Sequence, residues 1–93
     1  MSRNEMRQVI NELQKAVDAG GRSGHFLANA YLSFYRRGNS VELYDYINLD
    51  AINRDLFHRM MRLRHIADWS DSELHVMYQF CSNYLNDMAT LSD

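Results

Sequence analysis

Between residues 42 and 65 the chain concentrates the groups that most often bind other molecules: Glu42, Tyr44, Asp45, Tyr46 and Asp50, followed by Arg54, His58, Arg59, Arg62, Arg64 and His65. On a helix, steps of four, four and three residues stay on one side, so Arg54, His58, Arg62 and His65 form a single file. Guanidinium groups in a file could contact successive phosphates, and a helix is a workable groove element, which makes this the strongest nucleic-acid feature of the chain. Two facts stand against it. The formal net charge is −2, and the nearby acids Glu42, Asp45, Asp50 and Asp55 could pair with the arginines on an ordinary solvated face. No helix-turn-helix signature surrounds the file either. A small nucleic-acid-binding regulator using Arg54, Arg59, Arg62 and Arg64 is therefore the second reading.

The tyrosines and acids just before the file offer a different chemistry. Tyrosine gives a large rigid contact area with a polar tip and is a common anchor of protein interfaces, and the flanking carboxylates suit an arginine-rich or basic partner. The competing reading has one or both tyrosines completing the core while the acids answer the arginines. The sequence leaves both open. The candidate partner-binding residues are Glu42, Tyr44, Asp45, Tyr46, Arg54, His58, Arg59, Arg62 and Arg64.

Catalytic and metal chemistry finds less to work with. His58 and His65 stand seven apart, and Asp71 and His75 four apart, so two-ligand arrangements are geometrically feasible, but a metal site normally needs three or four protein ligands. No HExxH, paired cysteines or acid-rich calcium loop supplies them. Cys81 is the one cysteine. It sits on an apolar stripe, as a buried small hydrophobe would, and it permits no disulfide within one chain. His25 has no oriented partner that would make it a base. The expectation is a protein that is not an enzyme and holds no metal or cofactor.

The elements that must carry these residues follow from composition and spacing. A chain of 93 residues with 46% hydrophobic and 24% charged residues is a single globular domain, residues 1–93. It has no proline and four glycines, which favours helices joined by short turns. Residues 2–5 read SRNE, a capping box, and behind it Met6, Val9, Ile10, Leu13, Ala16 and Val17 recur at helical spacing until Gly20 and Gly21 end the run. In SGHFLANAYLSFYRRG, apolar residues surround most of the circumference, which predicts a central helix ending with Arg36 and Arg37 in its last turn and Gly38 as its stop. VELYDYI lacks the strict alternation of a strand, so it predicts one or two helical turns capped by Ser40. Asp50 reads as the N-cap of the next helix, with Ile52, Leu56, Met60 and Leu63 as its main stripe and Phe57 and Met61 beside it. Ser70 to Glu73 form a second capping box, followed by Leu74, Met77, Cys81, Tyr84, Leu85 and Met88, with Val76 and Phe80 joining. Trp69 is expected to staple this helix start, and Met6 and Met88 to sit where a dimer seam could form. The prediction is an all-α bundle of four main helices at about 3–18, 24–37, 51–66 and 71–90, plus a short helix at about 41–47.

The stretch FLANAYLSFYRRGNSVELYDYINLDAINRDLFHRMMRLR, residues 26–64, resembles a family of small uncharacterised all-helical proteins carried by plasmids and prophages of gammaproteobacteria. The features that carry the resemblance are Phe26 and Leu27 opening a helix, a small-residue turn at Gly38 and Asn39, a hydrophobic-Asp segment from Leu43 to Ile47, and Leu49 with Asp50 opening the next helix. Tyr-Asp-Tyr stands where that family more often has a simpler Asp-Leu step. The resemblance implies a mobile-element accessory protein that binds a host or defence component, and it implies no activity or cofactor.

With no apolar leader in MSRNEMRQV and no apolar run of about 18 residues, the chain is expected to be soluble and cytoplasmic, with no membrane partner. The leading expectation is a non-enzymatic interaction protein from a phage or mobile element. It would bind a bacterial protein and modulate or inhibit it, for example as an inhibitor of host defence, and a homodimer is compatible with that role.

Overall fold

The structure, a computed structural model, describes residues 3–36, 39–63 and 71–91. Five helices follow one another: α1 (Arg3–Ala19), α2 (Gly21–Tyr35), α3 (Leu43–Ile47), α4 (Ala51–Met61) and α5 (Asp71–Leu91). No strand occurs among the described residues. The fold is all-α, as the periodicity predicts.

The α1 stripe of Met6, Val9, Ile10, Leu13 and Val17 is buried, with Ala16 packed at its edge. Met6 is fully buried in this core, so it is not part of a dimer seam; Met88 lies outside the residues whose side chains are described. At the end of α1 the Gly20 amide donates to the Val17 carbonyl at 3.0 Å. Gly20 alone makes the connection, at φ 76°, and Gly21, at φ 69°, already opens α2. The second helix thus begins at residue 21 rather than 24. So short a link folds α2 back against α1, and at Gly24 the two backbones touch: a Cβ there would lie 2.8 Å from the Ala16 carbonyl oxygen and 3.0 Å from that of Val17. Only a residue without a side chain fits this approach.

Helix α2 is central, as expected, packing against α1, α4 and α5. Phe26, Leu27, Ala28, Ala30, Tyr31, Leu32 and Tyr35 are all buried. Removing a leucine side chain from water contributes about 1.5–3 kcal/mol, so Leu27, with no exposed surface, counts among the main supports. Tyr31 is equally buried, and its hydroxyl donates to the Leu74 carbonyl of α5 at 2.7 Å, which satisfies an otherwise costly buried polar group. The helix stops at Tyr35, short of the expected residue 37, because Arg36 is extended (φ −140°, ψ 160°). Arg36 does not sit in the last turn; its guanidinium lies 4.9 Å over the Tyr78 ring of α5. Arg37 and Gly38, expected to end this helix, lie outside the described residues.

Asp50 caps α4 as predicted, accepting from the Asn53 amide at 2.8 Å. The helix ends at Met61 rather than 66. The Arg62 amide bonds back to the Arg59 carbonyl at 3.2 Å, a tightening of the last turn that swings Leu63 fully into the core. Leu56 and Met60 are buried as expected, but Ile52 is 80% exposed. At the first turn of α4 an open groove separates it from Lys15 and Ala16 of α1, so nothing covers Ile52. Met61 and Val76 are also exposed. Helical steps of 100° place each nearly opposite its helix's buried stripe, so adjacency in sequence was misleading there. In α5 Leu74, Met77 and Cys81 are buried, and Phe80, Tyr84 and Leu85 are partly so. Two ion pairs tie α1 to its neighbours: Arg7 Nε to Glu73 Oε1 of α5 at 3.0 Å, and Glu12 to Arg59 of α4. The capping serines Ser2 and Ser70 and the tryptophan Trp69 lie outside the described residues.

Candidate interaction face around the short helix

Helix α3 is formed by local bonds alone. The Asp45 amide donates to the Glu42 carbonyl at 3.1 Å, the Leu49 amide to Tyr46 at 3.1 Å, and the Asn48 side chain to the Tyr44 carbonyl at 3.0 Å. Glu42, not Ser40, occupies its N-cap, with extended backbone and no side-chain capping bond. None of the five residues is buried, and α3 takes no part in the extensive helix–helix contacts. It is held by its flanks, through buried Leu49 and half-buried Val41, and by Tyr46.

Tyr46 is the clasp. Its ring lies 5.3 Å from Phe57 and 5.6 Å, edge-on, from His58, and its hydroxyl is 2.6 Å from His58 Nε2. Phe57 continues the contact to Phe26 of α2, 5.7 Å away. The two tyrosines of the patch therefore divide the alternatives that the sequence left open: Tyr46 fastens α3 to the core, whereas Tyr44 is 73% exposed. Leu43 and Ile47 are exposed to a similar degree, at 76% and 68%.

On α4 and at its C-cap, Arg54, His58 and Arg62 lie exposed, four residues apart. Arg59 stands apart from that file. It is half-buried, pairs with Glu12 of α1 and with Asp55 at 3.6 Å, and the Glu12 hydrogen bond raises its pKa above the ordinary arginine value. Its role is to join α4 to α1. Arg54 and Arg62 make no ion pair among the described residues, and neither do Glu42 and Asp45. The expected pairing of these acids with the arginine file is thus absent among the described residues, apart from Asp55 with Arg59. Arg64 and His65 lie outside the described residues.

Glu42, Tyr44 and Asp45 line an open groove of about 990 Å³ whose other wall is Arg22, His25 and Asn29 of α2, with Tyr84 of α5 at one end. Sequence reasoning missed this wall, because nothing in local spacing shows that the start of α2 faces residues 40–49. It missed the Tyr46–His58 pair for the same reason.

The remaining chemical candidates have structural surroundings. Cys81 is buried, and burial pushes its thiol up to about 12, far from a nucleophile's range. His75 stacks on Tyr78 at 5.7 Å and contacts Tyr35. Among the described residues no three His, Cys, Asp or Glu side chains converge as a metal site would require, and no helix is long and apolar enough to cross a membrane. No protein-family model, curated protein or solved structure matches the chain significantly.

Proposed function

We propose that this is a non-enzymatic binding protein that grips another protein through α3 and the adjoining side of α4. One observation carries the reading: α3 turns Leu43, Tyr44 and Ile47 to solvent while burying none of its own residues. Single exposed apolar side chains are ordinary, but three on a five-residue helix, bordered by charges of both signs that form no ion pair among the described residues, have the composition of an interface centre with a polar rim. The resemblance of residues 26–64 to mobile-element proteins supports a bacterial host or defence protein as the partner, which the binding would modulate or inhibit in the cytoplasm.

The test is affinity capture of the tagged protein from bacterial lysate after nuclease treatment, comparing the wild type with Tyr44→Ala and Arg62→Glu. The expected outcome is a stoichiometric protein partner that both substitutions release while the helical circular-dichroism spectrum stays intact. Unchanged capture in both variants would remove the named face.

Arg54 and Arg62, exposed and without an ion pair among the described residues, support a second reading, in which α4 contacts nucleic acid. Binding to a DNA duplex must then weaken steeply with salt, because each phosphate contact releases condensed counterions. No binding at low salt rejects it.

A further inference from the structure

We infer that the groove between α2 and the segment carrying α3 binds the C-terminus of a protein chain that ends in arginine. The inference goes beyond the face proposed above, because Arg22 and His25, on which it turns, lie outside that face. The two walls of the groove carry opposite charge. Arg22 and His25 line it from α2. Three apart on a helix, their side chains are neighbours, so both can donate to one carboxylate. Glu42 and Asp45 line the other wall, held together by the bond from the Asp45 amide to the Glu42 carbonyl at 3.1 Å. Two carboxylates so placed, with the exposed Tyr44 ring beside them on the same wall, suit a guanidinium, which meets carboxylates with a planar fork and stacks on aromatic faces. The walls do not neutralise each other: Arg22 forms no ion pair with either acid among the described residues. A ligand of one sign would be drawn to one wall and repelled by the other. The ligand that satisfies both joins a carboxylate to a guanidinium.

An arginine with a free α-carboxylate is such a ligand, and three features choose the end of a chain over the free amino acid. Free arginine carries an ammonium on the same carbon as its carboxylate, which would set a cation beside Arg22 and His25. In a peptide that nitrogen is an uncharged amide. The groove is also longer than one residue: Asn29 lines it seven positions beyond Arg22, about 10 Å along the helix, which is the reach of about three extended residues. Finally, the Tyr84 hydroxyl stands 3.7 Å from where a Cβ on Gly20 would lie, so Tyr84 closes the groove at its Arg22 end. A terminal carboxylate fits a closed end, whereas a continuing chain does not.

Amide chemical shifts of the isotope-labelled protein, followed while an acetylated tetrapeptide Gly-Ser-Gly-Arg with a free C-terminus is added, test the inference. Saturable shifts are expected at Arg22, His25 and Asp45, with a Kd at or below about 1 mM. The same peptide with an amidated C-terminus, or with leucine in place of arginine, should bind about fivefold more weakly, as the loss of an exposed ion pair predicts. Arg22→Gln should bind the acid and the amide alike, and Glu42→Gln with Asp45→Asn should bind the arginine and leucine ends alike. The substituted side chains are all exposed, and circular dichroism checks that the fold persists. No saturable shift at about 5 mM peptide, well above the expected Kd, overturns the inference, as does a wild type that binds acid and amide equally. Free L-arginine binding as tightly as the peptide would also overturn it, giving the groove to the amino acid instead. Arg62→Glu, which tests the α3–α4 face by lysate capture, should leave peptide binding unchanged, so the two readings fail separately.

Discussion

Replacing Gly24 by alanine tests the closest approach in the fold. The added methyl would lie 2.8 Å and 3.0 Å from two carbonyl oxygens of α1, inside the 3.4 Å at which ordinary contact begins. Both obstructing atoms are backbone, so no change of rotamer relieves the clash, and the one-residue link at Gly20 leaves α2 little freedom to slide. Overpacking of this kind costs about 1–3 kcal/mol. Alanine's better helix propensity offsets up to about 1 kcal/mol. The net expectation is a loss of about 1–2 kcal/mol, which for a domain of this size lowers Tm by roughly 5–15 °C. Urea unfolding followed by far-UV circular dichroism should show a lower midpoint with an unchanged slope. If Gly24→Ala is as stable as the wild type or more so, propensity has won, and the backbones of α1 and α2 are not in contact at this residue.

Tyr46→Phe keeps the ring contacts and loses only the hydroxyl bond to His58, so it should cost less than about 1 kcal/mol; Tyr46→Ala should speed amide hydrogen exchange across α3 while leaving exchange in α2 unchanged, and uniform exchange in both helices would contradict the clasp. A double-mutant cycle with Glu12→Gln and Arg59→Gln should return a coupling of about 0.5–1 kcal/mol for this partly exposed pair, and a value of zero would remove it as a tie between α1 and α4. Cys81 should resist alkylation in the native state and react once the chain unfolds. Its thiol is raised to about 12 in the folded state, so the unfolded chain releases this proton first. Stability is therefore fully retained below the unfolded thiol pKa and falls as pH climbs from about 9 toward 12, by at most about 1.4 kcal/mol per unit from this group. Cys81→Ala should flatten that part of the stability profile, and an unchanged slope would show that the thiol is not the cause.

Much of the architecture was legible because its signals are local. The stripe from Met6 to Val17 and the cap at Asp50 each depend on spacing within a few turns, and both appear in the structure. Where the expectation failed, the deciding interaction came from a distant residue or from the way a turn closes. Gly24 looked like part of a helix start until the link at Gly20 brought it against α1. Ile52 has the right periodicity for the core, but whether it is covered depends on where α1 lies. Candidate residues divided in the same way. Tyr44 and Tyr46 are indistinguishable by type and differ only because His58 and Phe57 stand beside one of them, and Arg59, a candidate partner-binding residue by its type, is taken up within the fold because Glu12 reaches it from α1.

The short helix between α2 and α4 contributes its working side chains to the surface and almost none of them to the core. Its face can therefore change without renegotiating the rest of the fold. Replacing Glu42, Leu43, Tyr44, Asp45 and Ile47 together, with Tyr46 and Leu49 kept as fasteners, should yield a library whose members all fold and differ mainly in the surface they present. A lineage under pressure to follow a changing target could vary this one segment and keep everything else.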